Sequence, residues 1–456
     1  LKAAEEARVL LEAGDLKGAM KLVAAGLNRD PHDMALLMIA GCCYFREENW
    51  GMAYNVLHRV REKAPPFPEI LNNLGMCAAN LASQAGKDNF LDEAESHLRK
   101  AYNKAPTPEV IANLALVKLQ KCEPLAAERL CLEGLEHDSG NVSLHESLGY
   151  ACLYQGKWVE GFRSFDFNIG LSKQRQPPSV QAPMWVRGVK GKKLFVQGEQ
   201  GIGDEITYAS VIPDALKDNE ISYECDHRLE GLMRRSLPGV EVHGTRFTPD
   251  KGWRETRAFD YAALSGSLCM EYRRKDEDFP RKGWLVADPE RRLQWKALLD
   301  QIPGKKVGIA WTGGKDNTFR SRRSFSLEGL LPILKTPGIT WVSLQYKDPA
   351  KEIAEFHKKT GIEIKHWKRA TENCDYDETA ALVQELDAVV SVTTAVVHLC
   401  GALGKKAYVL VPARSRWFYA SSGVEHRWYE SLELYRQSDK WPVEKVAQKL
   451  KSDLGL

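Results

Sequence analysis

The 456-residue sequence has no apolar run long enough to cross a bilayer, and no signal peptide is expected at its start. Its first stretch, LKAAEEARVLLEAGDL, reads as an amphipathic helix. Charge of one sign is also lacking. Sixty-four Lys and Arg stand against 61 Asp and Glu, a formal net charge of +3. That balance gives no sign of bulk attraction to nucleic acid or membrane, while leaving room for a local basic groove. The ten cysteines form no CxxC and no zinc-ligand spacing. Cys77, Cys131, Cys152 and Cys400 sit at apolar helical positions, which reads as buried free thiols in a reducing compartment. A cytoplasmic location is the default expectation. Neither a GxGxxG fingerprint nor the Lys-Ser/Thr of a P-loop is present. What remains is ordinary soluble composition, 43% hydrophobic and 27% charged, in a length that fits two or three domains.

The first part of the chain repeats. A small residue followed four positions later by an apolar one recurs as Ala19/Val23, Ala53/Leu57, Ala94/Leu98, Ala127/Cys131 and Gly161/Phe165. Proline comes after the first three, at Pro31, Pro65 and Pro106. The intervals between the small residues are 34, 41, 33 and 34, the long one holding an insertion near ASQAGKDNF. Leu74-Gly75, Leu114-Ala115 and Leu148-Gly149 mark a first helix upstream of three of the units, and Gly41 with Tyr44 marks another. This pattern resembles the tetratricopeptide repeat, two helices per ~34 residues with small residues where helices approach closely. Five units are expected over residues 1–172. Such arrays stack into an α-solenoid whose concave face binds peptides or partner proteins. The Pro-rich segment 173–190 reads as a linker.

From Lys192 short β-rich runs alternate with helical ones, which argues for mostly parallel sheets. Two Rossmann-like halves are expected, residues 191–303 and 304–456, with ligands at the strand C-terminal ends. The stretch KLFVQGEQGIGDEITY opens the first half. A strand feeds a glycine-rich turn with Gly198, Gly201 and Gly203, threaded by Glu199, Asp204 and Glu205. Those acids would repel phosphate, so a carboxylate here is better placed to take a proton. An Asp opening a helix is equally a routine N-cap. In the second half KVGIAW ends in Trp311-Thr312-Gly313-Gly314, followed by Asn317, Arg320, Arg322 and Arg323. ITWVSL ends in Gln345, and DAVVSV ends in Thr393-Thr394 before a helix that carries His398. The Thr393-Thr394 turn at a helix start suits a diphosphate, Arg320 or Arg323 can pair with the same charge, and Gln345 can read a base. A lone His on an apolar helix is otherwise a core residue. Trp311, Trp417, Phe418 and Tyr419 either line the cleft or pack the core. Asp375-Tyr-Asp377 matches a metal-binding DxD, but its place before a helix favours capping, so no metal is expected.

GEQGIGDE, ECDHRLEGLMRRSLPGV, VGIAWTGG, RRSFSLEGLLPIL, SVTTAVVHLCGALGK and RWFY resemble bacterial tetratricopeptide-repeat proteins fused to a glycosyltransferase domain of the lipopolysaccharide heptosyltransferase type. The resemblance implies a GT-B module of two Rossmann-like domains. The nucleotide-sugar would lie mainly on the second half, against Trp311, Gly313, Asn317, Arg320, Arg323, Gln345, Thr393, Thr394 and His398. The acceptor would lie against the first half at Gly201 and Gly203. Asp204 falls on the family's catalytic aspartate, with Glu199 and Glu205 as substitutes. One departure is plain: the family often has Ser-Val-Asp-Thr where this chain has Ser391-Val392-Thr393-Thr394. The implied activity is metal-independent, inverting transfer from a nucleotide-sugar, without a further cofactor, to an acceptor hydroxyl recruited by the repeats. Protein or peptide is the favoured acceptor; a glycan or a modified nucleic-acid base is the alternative. The competing class is a non-catalytic scaffold or a nucleotide-sugar sensor.

Overall fold

The computed structural model describes residues 2–63, 67–86, 89–171, 175–199, 201–249, 252–314, 320–372 and 375–456. Pro65 and Asn317 lie outside the described residues. The described residues form two compact units, one built on residues 2–151 with 320–321 and the other on residues 152–314 and 322–456.

The first unit is an array of helices: α1 (Lys2–Glu12), α2 (Leu16–Leu27), α3 (Met34–Arg46), α4 (Trp50–Lys63), α5 (Pro68–Ala85), α6 (Asn89–Lys104), α7 (Pro108–Gln120), α8 (Pro124–His137) and α9 (Val142–Gln155), the last running across the division. Helices pack in pairs, α1 on α2, α3 on α4, α5 on α6 and α7 on α8, and α2, α4 and α6 each pack on the helix that follows. This is a tetratricopeptide-type helical repeat. The repeating small residues are where helices touch: Ala19, Ala53, Ala94 and Ala127 are all fully buried. At Gly75 an added Cβ would meet Leu98 Cγ at 2.5 Å and the Ala94 carbonyl oxygen at 3.1 Å, so the α5–α6 approach requires glycine. The long interval of 41 is absorbed by α5, which has 18 residues where α3 and α7 have 13. Caps fix the starts, with Asp33 accepting from Leu36 N and Thr107 from Val110 N.

In the second unit the end of α9 is followed by α10 (Trp158–Asp166), whose Trp158 and Phe162 pack against Trp417, while the Trp158 indole donates to Asp276 at 2.8 Å. Two parallel sheets follow. The first is built from β1 (Lys193–Gln197), β2 (Glu220–Glu224), β3 (Glu241–His243) and β4 (Tyr261–Leu264) in the order β3-β2-β1-β4. Its helices are α11 (Ile202–Ala209), α12 (Ile212–Leu216), α13 (Glu230–Ser236), α14 (Gly252–Glu255) and α15 (Ser265–Tyr272), after which α16 (Pro289–Leu299) leads onward. The second sheet holds β5 (Lys305–Ala310), β6 (Ile339–Ser343), β7 (Ile364–Lys365), β8 (Ala388–Val392), β9 (Ala407–Val411) and β10 (Leu432–Arg436) in the order β10-β9-β8-β5-β6-β7. Its helices are α17 (Leu331–Leu334), α18 (Ala350–Thr360), α19 (Lys368–Thr371), α20 (Tyr376–Glu385), α21 (Ala395–Ala402) and α22 (Val443–Leu454).

Every strand pair is parallel, for example Leu194 opposite both Ile221 and Tyr261. Parallel sheets are covered on both faces, so central strands read as continuous apolar runs. β8 and β9 are buried at all five positions each. Val307, Ile309, Trp341, Val390 and Tyr408 lie in the core of the second sheet. The order reverses between β5 and β8, the switch point where such sheets bind ligands. α11 of the first sheet packs directly on α21 of the second, and α13 and α16 pack on α20. No helix among the described residues is long and apolar enough to cross a membrane.

Candidate functional site at the facing starts of α11 and α21

The turn after β1 brings its three acids to three different environments. Glu199 is buried and accepts from Arg175 Nη2 at 3.0 Å and from Gly266 N at 3.1 Å. Glu205 is buried and accepts from Asp226 N at 2.7 Å and Arg246 Nη1 at 2.6 Å. Burial pushes the Glu205 carboxyl up to about 7, against the pull of Arg246. Both glutamates therefore hold the turn together. Asp204 stands apart. Gly201 occupies the N-cap of α11 with no side-chain cap, and among the described residues no hydrogen-bond donor reaches the Asp204 carboxylate. Burial raises its pKa, Arg416 pulls it back down, Glu199 raises it again, and Arg323 and Arg246 lower it. A carboxyl raised in this way, in the first turn of a helix and within the field of Arg416, Arg323 and Arg246, suits a proton acceptor.

Opposite, Thr394 caps α21, its hydroxyl accepting from Val396 N at 3.2 Å. Thr393 is 4% exposed, and its carbonyl accepts from Arg323 Nη1 at 2.9 Å. The two helix starts touch at Gly203, where an added Cβ would lie 2.9 Å from His398 Cδ2 and 3.4 Å from Ala395 Cα. Gly203 is thus one of the contacts between the two halves of the second unit, and the absent side chain is what lets α11 reach α21.

His398 joins the same two helices. Its Nδ1 lies 2.8 Å from Thr207 Oγ1, and Thr207 donates to the Gly203 carbonyl at 2.8 Å. Tyr419 OH lies 3.4 Å from Nε2. With the Thr207 proton on the Gly203 carbonyl, the network assigns the remaining bonds: His398 Nδ1–H donates to Thr207 and Tyr419 O–H donates to Nε2. This is neutral imidazole. Burial first, then the charges of Arg416 and Arg323, push the His398 pKa down to about 3.

The end of β5 is occupied from behind. Trp311 is fully buried, its indole donates to Glu352 Oε1 at 3.0 Å, and its backbone N–H donates to Gln345 Oε1 at 3.1 Å. Gln345 also accepts from Thr312 N and donates to the Thr312 hydroxyl. Trp311 and Gln345 thereby fix the β5 and β6 ends together. Gly313 sits against the Thr394 methyl, with its N–H donating to Ser324 Oγ at 3.4 Å. Arg320 begins the one-turn 3-10 segment Arg320–Arg323. Asn317 lies outside the described residues. Asp375 is the N-cap of α20 and accepts from Asp377 N at 3.0 Å and Arg291 Nη1 at 2.5 Å, while Asp377 pairs with Arg235 at 2.8 Å.

Sequence reasoning missed Arg416 and Thr207. Arg416 is exposed at the start of the 3-10 turn Trp417–Tyr419, and its charge acts on Asp204, His398 and Arg323. Burial, and next the like charge of Arg416, lower the Arg323 pKa. Two like charges coupled in this way favour an anion nearby. The only signal in the sequence was the basic, aromatic run RSRWFY. Trp417, Phe418 and Tyr419 themselves are buried, Trp417 and Phe418 stacking at 4.0 Å.

No protein-family model matches the chain. Protein FlbA of Caulobacter vibrioides is 31% identical over 415 residues, covering 86% of this chain and 68% of FlbA. The chain belongs to the FlbA family. Among solved structures, MamA aligns with 35% of this FlbA-family chain and 91% of its own length at 18% identity and a TM-score of 0.31. PilF of Pseudomonas aeruginosa aligns with 36% of this chain and 73% of its own length at 19% identity and a TM-score of 0.31. YrrB, described as a TPR protein with an unusual peptide-binding site, aligns with 38% of this chain and 86% of its own length at 15% identity and a TM-score of 0.32.

Proposed function

We propose that this FlbA-family chain is a glycosyltransferase of GT-B type whose repeats recruit a protein or peptide acceptor. In this reading Asp204 takes the proton from the acceptor hydroxyl as that oxygen attacks the anomeric carbon of a nucleotide-sugar. Arg323, Arg416 and the first turn of α21 meet the charge of the departing diphosphate. One base on the acceptor side and no glycosyl-enzyme nucleophile correspond to inversion. The observation that carries this reading is the contrast among the three acids. Glu199 and Glu205 are tied down by donors, and Asp204, at the facing helix starts, is not. Two parallel α/β sheets with facing strand ends are compatible with the GT-B arrangement.

The test is donor turnover over UDP-, GDP-, ADP- and CMP-sugars, with and without candidate acceptor peptides. Asp204→Asn is expected to lower kcat by about 10²–10⁴ while leaving donor binding in place. Full turnover in that variant removes Asp204 from the role. A second reading, a scaffold or nucleotide-sugar sensor without turnover, is favoured by Thr393. Where the resembled family often carries aspartate, this chain has a buried threonine whose carbonyl is held by Arg323. Donor binding with no turnover on any acceptor would select that reading.

A further inference from the structure

Three segments at the C-terminal ends of β6 and β7 bring metal-ligating groups together outside the Asp204 region. Asp348 follows β6, His366 directly follows β7, and Glu372 directly follows α19. One ligand-type atom from each lies within 4.8 Å of the other two. The His366 side chain is only 10% exposed; its Nε2 lies 2.6 Å from Glu372 Oε1, and its Nδ1 is buried without a hydrogen-bond partner. The imidazole nitrogen that meets Glu372 is the one an ion shared with that carboxylate would take, with Nδ1 left to carry the ring proton. Asp348 has one oxygen accepting from Ala350 N at 2.9 Å, which leaves its second oxygen available.

We infer that Asp348, His366 and Glu372 bind a divalent transition metal of the zinc class. An imidazole with two carboxylates selects such an ion over calcium or magnesium, which prefer all-oxygen shells. Bonds of about 2.0–2.2 Å place tetrahedral ligand atoms about 3.3–3.6 Å apart, so the His366–Glu372 contact opens from 2.6 Å by up to about an ångström and Asp348 moves to complete the shell. Asp348, exposed on a turn, supplies that movement. Three protein ligands leave one position for water or an external ligand. The ion would join the turn after β6 to the turn after β7, beyond the β6–β7 pairing that ends at Val342–Lys365. None of the three residues has a part in the transfer chemistry proposed above.

The test uses the full chain, stripped with chelator and titrated calorimetrically with Zn²⁺, with Co²⁺ absorption reporting coordination geometry. One equivalent is expected at this site, with a tetrahedral cobalt spectrum and a raised Tm. His366→Ala and Glu372→Gln are each expected to weaken binding at least tenfold. Asp348→Asn, at an exposed position, tests the same ligand set should His366→Ala fail to fold. No zinc binding, or zinc binding of unchanged affinity in the Glu372→Gln and Asp348→Asn variants, overturns the inference and leaves the His366–Glu372 contact as a simple ion pair.

Discussion

In the repeat unit each helix meets a helix next to it in the chain, whereas in the α/β unit Thr207 meets His398 across 191 residues of sequence. The two regions also use small residues differently. Ala53 and Ala94 recur because one packing problem recurs. Gly203 solves a single problem, the approach of α11 to α21. A periodic solution leaves a trace that can be counted, and a unique one does not. Stability follows the same division: repeats add local, nearest-neighbour terms, while the α/β halves depend on contacts between segments distant in sequence, such as the parallel strand pairs.

The largest way to separate the two regions is to open the repeat core. Leu98 is fully buried against α5, and Leu98→Ala is expected to cost about 2–5 kcal/mol. Peptide-resolved hydrogen exchange should then accelerate over α5–α8 and stay unchanged over β1–β10. Equal acceleration in both regions would show one cooperative block and dissolve the comparison. The α/β counterpart is Gly203→Ala, expected to cost about 1–3 kcal/mol, because the methyl group meets His398 and the Ala395 backbone. Its effect on exchange should be confined to α11, α21 and their strands. An unperturbed melting curve would mean that α11 stands off α21 in solution.

This division also explains what was legible beforehand. The helix pairs were read from Ala19 to Gly161 because the helical period and the ~34-residue period agree. The parallel sheets were read from apolar runs such as KLFVQ and DAVVSV. β4 (YAAL) gave no signal because alanine has little strand preference, and β10 (LELYR) gave little because an edge strand alternates polar and apolar residues. The site was legible as a list of strand ends, but not as an assignment of roles. Nothing in GEQGIGDE says that Glu199 meets Arg175 and Glu205 meets Arg246 while Asp204 meets neither. Those partners lie elsewhere in the chain and are fixed only by folding. Trp311 and Gln345 show the converse: placed at strand ends like ligand contacts, they bond to Glu352 and to the β5 backbone.

A further effect distinguishes the regions by pH. His398 is neutral in the folded chain, held near 3 by burial and by Arg416 and Arg323, while in the unfolded chain it titrates near 6.5. Its contribution is therefore complete above about pH 6.5 and is lost as pH falls towards 3, at up to about 1.4 kcal/mol per pH unit. Glu205, raised to about 7, acts in the opposite sense between its unfolded value of 4.5 and 7. The difference between wild type and His398→Asn isolates the histidine. Urea melts from pH 7 to 4 should show a shallower fall for the variant. Parallel curves would mean that His398 is solvated and titrates normally.

The smallest effect belongs to the repeats and lies in a different pH window. Lys118 is nearly buried between Glu95 and Glu123, at 2.6 Å from each, and Lys121 and Arg99 also reach Glu95. Burial raises the Glu95 carboxyl, but hydrogen bonds from Lys118, Lys121 and Arg99 outweigh it and bring the carboxyl down to about 2. A depressed carboxyl stabilises the fold above its unfolded value of 4.5 and loses that contribution as pH falls towards 2. Lys118→Met keeps the apolar stem and removes the charge. Because Lys121 and Arg99 remain, the expected cost at pH 7 is only about 1 kcal/mol. That cost should shrink below pH 4.5, once Glu95 begins to protonate in the variant, whereas the His398→Asn difference is already changing at pH 6. Thermal melts of both variants at pH 7, 5.5 and 4 separate the two windows. If both differences moved together through pH 6, the repeat network and the α11–α21 contact would be titrating as one system.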